Sequence, residues 1–495
     1  MQSYIDTYKN MRKRLKAYEY AMWVLSWDLE TETPEGALDY RSEQVEVLTT
    51  ELYALQTDSA YLEAIDKLYA TRNSLDELLR REIEKIVKDM RLIKKMPKDE
   101  YIQYQVLMSK SSSIWAEAKA KNDFNLFLPT LEKIIDFTRK TTKYLQTPEL
   151  KGYDVLLDMY EEGMTMKEYD AFFLNLREEL VPFVLSATSG KKPLSRKLTK
   201  GFFSIEKQKE FNKYLTTVFN FDLNRGVLKQ SVHPFESNFS STDVRITTKY
   251  LENAVESAVF STIHEMGHGI YEQQISKDLI DTRLNMGASM GIHESQSRMY
   301  ENMIGRSYAF WENHFDKLKE IFAKELKGVS LLDFYQYINR AERTLIRTEA
   351  DELTYPLHIM VRYEIEKQLI SGKLKAKDLP KKWRKLYQQY VGVRPKTDAE
   401  GVLQDIHWAG GSFGYFPTYA LGSAYAAQIY QAMNKDFNIE NAISNNEIYK
   451  INDWLREKIH QYGSSKSPKE LILNATGEPF NSKYYVDYLK RKFSN

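Results

Sequence analysis

Among the 495 residues there is no cysteine. Disulfides, thiolate metal ligands and a cysteine nucleophile are therefore excluded, and the composition fits a reducing, cytoplasmic setting. Glycine (21) and proline (13) are scarce, which disfavours flexible linkers and favours long helices. Neither sign of charge prevails, since 70 basic against 69 acidic residues leave a formal net charge of +1. So even a balance argues against nucleic acid or an anionic membrane as the main partner. The local basic run KDLPKKWRKL (377–386) reads as a solvated helix end. Long apolar runs are missing as well. The opening MQSYIDTYKNMRKRLKAYEY is polar and charged, without the apolar core of a secretion signal. AMWVLSW (21–27), the longest apolar stretch near it, is far too short to span a bilayer. The expectation is an intracellular chain with no membrane segment.

What fills the chain is helical periodicity. Residues 36–86 and 98–145 carry apolar positions three and four apart, with Leu, Glu, Lys and Tyr between them. The stretches 311–343, 357–371, 420–434 and 446–461 read the same way. One region departs from this. NRGVLKQSVHPFESNFSSTDVRITT (224–248) holds short β-branched runs around Val227–Val232 and Val244–Thr248, separated by Pro, Asn and Ser, which predicts a small hairpin or sheet. No internal repeat and no composition break marks a seam. The predicted fold is mostly α, with one small sheet and a long cleft between two helical halves. Residues 1–495 are read as one catalytic unit, with N-terminal helices over roughly 1–145 lining or covering the cleft.

Chemistry concentrates in FSTIHEMGHGIYEQ (260–273). Across 250–275, Val255, Val259, Ile263, Met266 and Ile270 form an apolar helical stripe. Beside it run Ser257, Ser261, His264, His268 and Glu272. Side chains four apart share a helix face, so His264 and His268 can reach one ion. Glu265 lies about 100° round the helix from His264, where it suits a base acting on a bound water. A catalytic zinc needs a third protein ligand and an open position. Glu272 is badly placed for it, because eight residues from His264 amount to about 12 Å along a helix. The better source is GIHESQSRMYEN (291–302), brought alongside by a turn within 269–290 that contains Gly287. His293 and Glu294 compete there, and spacing does not choose between them. Glu301, seven residues after Glu294, shares its face and can orient a ligand histidine or form a helix-to-helix salt bridge. Gly267 and Gly269 flank His268 inside the helix, where each costs about 1 kcal/mol relative to Ala. Close approach of another backbone or of substrate explains them, and so does a local kink.

At this point the motifs resemble those of the M32 metallocarboxypeptidases, the carboxypeptidase Taq family. The likeness rests on HPF (His233-Pro234-Phe235), DxRxT (Asp243, Arg245, Thr247), HExxH (264–268) and HES (His293-Glu294-Ser295). IRxxAD (Ile346, Arg347, Ala350, Asp351), GxxQDxHW (Gly401, Gln404, Asp405, His407, Trp408) and the early WDLETETPEGALDYRSEQ (27–44) extend it over nearly the whole chain. The resemblance implies Glu294 as third ligand to one Zn2+ per subunit, with Co2+ able to substitute, and Glu265 as general base. It also implies a helical zincin fold like those of neurolysin and angiotensin-converting enzyme, in a homodimer. Five of the eight histidines (233, 264, 268, 293, 407) fall inside motifs, leaving His314, His358 and His460 as ordinary.

These residues imply a zinc-activated water deprotonated by Glu265, with the proton then passed to the leaving amine. The oxyanion donor is sought in HWAGGSFGYFPTY (407–419), which offers His407, Tyr415 and Tyr419; some of Trp408, Phe413 and Phe416 read as aromatic core near a Gly-rich turn. A free C-terminal carboxylate calls for a guanidinium. The resemblance points to Arg347 and less directly to Arg245. His233 is read as a substrate contact or a hairpin cap, and the strand near 244–248 as an edge to which an extended peptide adds. The resemblance therefore implies a peptide substrate with a free C-terminus, shortened one residue at a time. A dipeptidyl-carboxypeptidase or oligopeptide endopeptidase with the same zinc set is the alternative within enzymes. A catalytically silent helical scaffold is the alternative outside them, and the intact Glu265 and ligand set speak against it.

Overall fold

Helix dominates wherever short polar caps do not interrupt the apolar periodicity. The computed structural model describes residues 1–189 and 201–494. These are mostly helical (68%), with twenty α-helices and one small sheet. The periodic stretch 36–86 resolves into three helices, Leu38–Gln56, Ser59–Ala70 and Glu77–Lys95. Asp58 and Asp76 begin the second and third, their carboxylates accepting from the Tyr61 and Leu79 N–H groups. The stretch 98–145 divides likewise at Asp123, into Lys98–Ala120 and Phe124–Leu145. Within 311–343 the helices are Tyr308–Ile321 and Leu331–Ile338, and 339–343 leaves the helix.

Two main cores of unequal size hold these elements, beside a small cluster of Ile275, Leu279 and Leu284. The first helix, Gln2–Thr31, packs with the next three around Tyr8, Leu15, Leu55, Tyr61, Ile65 and Ile83. A single far larger cluster runs from Ala118 to Phe493. The first helix also lies on the sheet, where Trp27 packs edge-on against Phe235 and the Trp23 indole N–H donates to Ser237 Oγ at 2.6 Å.

Three strands make the sheet: β1 (Gly226–Gln230), β2 (Glu236–Ser240) and β3 (Asp243–Thr248), in the order β1-β3-β2. β1 runs parallel to β3 and β2 antiparallel to it. The sheet expected in 224–248 is there, but the assignment of 244–248 as an open edge is overturned. β3 is the central strand, with Ile246 facing Leu228 on one side and Glu236 on the other, so its backbone has no room for a peptide. The error traces to β2, whose ESNFS sequence is too polar to announce a strand. Among the described residues the free edges belong to β1 and β2.

The motif helix spans Val255–Gln273, and its apolar stripe is fully buried. It packs on the sheet near Gly269, where a Cβ would lie 2.8 Å from the Phe221 ring and 3.3 Å from the Ile246 side chain. On its other flank it meets the helix Met290–Arg298. There a Cβ on Gly267 would come within 2.7 Å of Ser297 Cα, so one of the two glycines is explained by close approach of a second backbone.

Candidate active site

The helix Met290–Arg298 begins at Ser289, whose hydroxyl accepts from the Ile292 N–H. Glu161 closes the same terminus, accepting from the Gly291 N–H at 2.8 Å and the Ser289 hydroxyl at 3.0 Å. Burial pushes the Glu161 carboxyl up to about 7 against these bonds. The helix is then wedged between two glycines, since a Cβ on Gly422 of the helix Phe416–Asp436 would fall 2.6 Å from Glu294 Cβ. After Arg298 the backbone widens into a π-helical turn, Met299–Ile304, which carries Glu301.

This packing brings His264, His268 and Glu294 together. One donor atom from each lies within 4.8 Å of the others. Glu294 Oε2 is 3.6 Å from His264 Nε2 and 3.5 Å from His268 Nε2. Its other oxygen, Oε1, accepts from Arg298 Nε at 2.7 Å, so a single carboxylate oxygen faces the imidazoles. Burial would raise the Glu294 carboxyl, but Arg298 and the two imidazoles hold it well below the usual range. Both imidazoles turn Nδ1 away from the centre: that of His264 lies 2.9 Å from Glu301 Oε2, and that of His268 lies 2.6 Å from His293 Nδ1. Two imidazole nitrogens and one carboxylate oxygen, each backed by a further polar group, fit a divalent ion such as zinc. His293, the rival for third ligand, stands behind His268 and outside this group. Glu272 is likewise outside it.

A cavity of about 980 Å3 opens over this corner, lined by His264, Glu265 and Glu294 at one part and by Arg347, Tyr355 and Tyr419 at another. Glu265 is 7% exposed, and burial pushes its carboxyl up to about 7, with His264 pulling the other way. Arg347 is fixed through Nε to Asp405 (2.9 Å) and through Nη1 to the Tyr355 hydroxyl (3.1 Å). Its Nη2 makes no hydrogen bond to any described residue. Arg362 grips the second oxygen of Asp405 through Nε at 2.7 Å, which anchors the carboxylate that holds Arg347.

The remaining sequence candidates lie at differing depths. His233 lines the cavity. His407 and Tyr415 stand just behind its wall, with His407 Nε2 3.3 Å from the Tyr419 hydroxyl and Tyr415 edge-on to the Tyr419 ring. Burial and the nearby Arg347 push the His407 imidazole down to about 4, so it is neutral at pH 7. Arg245 is not among the cavity-lining residues. Its guanidinium pairs with both oxygens of Asp243 at 2.8 and 2.9 Å and stacks 4.5 Å from the Trp23 ring. Trp408, Phe413 and Phe416 are buried, as read.

Sequence reasoning missed Arg298, Arg362 and Tyr355. Arg298 had a signal, since it stands four residues after Glu294 on one helix face. Tyr355 and Arg362 had none, because their partners Arg347 and Asp405 meet them only through the tertiary fold.

Comparison with known proteins agrees with this geometry. The family model described as carboxypeptidase Taq (M32) metallopeptidase matches residues 7–493. Carboxypeptidase 1 of Bacillus subtilis is 44% identical over 495 residues, covering 100% of this chain and 98% of that protein. Two solved structures superpose over nearly their full length. Metallocarboxypeptidase 1 of Trypanosoma cruzi is 34% identical, with TM-score 0.94 and 100% coverage of both chains. The M32 carboxypeptidase of Deinococcus radiodurans is 33% identical, with TM-score 0.93 and 99% coverage of both chains.

Proposed function

The chain belongs to the carboxypeptidase Taq (M32) family of metallopeptidases and is a metallocarboxypeptidase, and from this we propose that it uses zinc to release single residues from the free C-termini of peptides. The observation that carries the reading is one cavity lined both by His264, Glu265 and Glu294, with His268 grouped behind them, and by Arg347. His264 and His268 would hold the ion through Nε2 and Glu294 through Oε2. Bound there, zinc supplies a Lewis acid that polarises the scissile carbonyl and acidifies a water.

The residues of the chain do the rest. Arg347 receives the terminal carboxylate of the substrate, through Nη2 and the Tyr355 hydroxyl it already touches. Glu265 takes the proton from the attacking water and delivers it to the leaving amine; a carboxyl poised near 7 suits both halves of that task. Tyr419 donates to the oxyanion. It is favoured over His407 and Tyr415 because it alone of the three lines the cavity, and His407 braces its hydroxyl from behind. Glu301 orients His264. His233 contacts the substrate further along the cavity.

The reading extends to a cytoplasmic homodimer whose chains each act as one catalytic unit. Exposed Tyr40, Val47 and Tyr53 on the helix Leu38–Gln56 support pairing. No helix of the described residues is long and apolar enough to cross a membrane.

The test incubates one peptide as free acid and as C-terminal amide, with and without chelator, and identifies products by mass. Single-residue ladders from the acid form only, abolished by chelator and restored by zinc, are expected. Release of dipeptides or internal cuts would replace this reading with a dipeptidyl or endopeptidase activity.

A further inference from the structure

His264 and His268 are backed differently. Behind His264 stands a carboxylate, Glu301, paired with Arg306 at 2.9 Å. Behind His268 stands a second imidazole, His293, whose Nε2 lies 2.8 Å from Glu272 Oε1. Two ring nitrogens at hydrogen-bond distance share one proton, so one donates and the other accepts. Glu272 decides which. It is 1% exposed, and besides His293 its carboxylate takes the Asn238 side-chain amide at 2.7 Å and the Gly287 N–H at 2.7 Å. Two N–H groups already donate to it, and the His293 ring completes the set as a third donor. His293 must therefore carry its hydrogen on Nε2 and offer the Nδ1 lone pair. That lone pair accepts Nδ1–H of His268, which leaves His268 Nε2 bare and aimed at Glu294 Oε2, 3.5 Å away.

We propose that Glu272 and His293 are positioning residues that hold His268 in the tautomer and orientation whose Nε2 lone pair points into the metal site. The proposal rests on the reading of His268 as a ligand. It also gives Glu272 a purpose. Eight residues from His264, Glu272 is too far along the helix to share the ion, but it is one turn beyond His268 on the same face and closes the gap through His293. Gly287 completes the arrangement. A Cβ there would lie 2.5 Å from His293 Cδ2 and 3.2 Å from Glu272 Oε1, so the turn passes close enough to donate its N–H only because it carries no side chain.

The experiment measures the zinc dissociation constant by chelator competition, together with thermal melting of the metal-free proteins, for wild type, H268A, H293L and H293N. H268A is expected to lose tight binding. H293L should bind zinc about 10–100-fold more weakly while its metal-free melting stays close to wild type. H293N, which returns an acceptor oxygen near the place of Nδ1, should recover most of that loss. Wild-type affinity in H293L overturns the proposal, and so does H293N binding as weakly as H293L, because packing alone would then be at work. Should H293L fail to fold, E272Q replaces it: weaker zinc binding with unchanged metal-free melting is expected, and unchanged affinity overturns the proposal. Wild-type affinity in H268A would refute the ligand reading itself and the proposal with it.

Discussion

At one corner of the cavity His264 and Glu294, with His268 beside them, come from two helices pressed together at Gly267, with Gly422 of a third helix against Glu294. At another part Arg347 is held by Tyr355, Gln404 and Asp405, from segments up to 58 residues away in sequence. The first region sets its side chains by helix spacing and close backbone contact, which leaves little freedom to misplace them. The second sets one guanidinium by a buried ion-pair network in which Asp405 is shared between Arg347 and Arg362. On the proposed reading the difference separates bond-breaking from recognition, with the chemistry in the helical corner and the choice of substrate terminus in the network.

Substitutions can break that division. E265Q keeps the volume of the side chain and removes the base, so turnover should fall about 10²–10⁴-fold with zinc content unchanged; substantial residual turnover would dismiss Glu265 from its role. R347A touches the other region. Charge-assisted hydrogen bonds are worth about 1.5–3 kcal/mol each, so kcat/KM for free-acid peptides should drop roughly 10–100-fold, with little change for amidated ones. Equal losses on both substrates would mean that Arg347 supports the fold and not the terminal carboxylate.

A smaller effect sharpens the comparison, because each region is braced by a buried carboxyl. Glu161 caps the helix of Glu294, whereas Glu366 accepts from the Trp408 indole N–H and the Gly414 N–H behind the tyrosines. Burial pushes both up to about 7. A carboxyl raised in the folded state binds more protons there than in the unfolded chain. Its contribution is therefore fully present below the unfolded value of 4.5 and is lost as pH rises through about 7. Each group removes about 3 kcal/mol by pH 8. Thermal melting should fall between pH 5 and 8, and E161Q and E366Q should each flatten part of that slope. A wild-type slope in both variants would show that neither carboxyl titrates in this window.

The two regions also differed in how plainly the sequence declared them. HExxH sits on a helix whose apolar stripe is unbroken, so the imidazoles and Glu265 follow from a period of 3.6 residues. The proposed third ligand did not follow from spacing, since His293 and Glu294 are neighbours and packing against Gly422 and Arg298 is what turns Glu294 inward. Arg347 was reached through motif likeness alone, because no local pattern tells a recognition arginine from a structural one. The polar strand β2 was invisible for a related reason: its register is imposed by β3 and the covering aromatics of the first helix, not by its own residues. Helix boundaries were blurred where single Asp caps divide one periodic run into several.

The central claim is that His264, His268 and Glu294 hold one divalent ion, and the most direct measurement is the zinc content per chain of purified wild type and E294A after equilibration in excess zinc and desalting. One equivalent in wild type and almost none in E294A is the expected result. One equivalent retained by E294A would contradict the account.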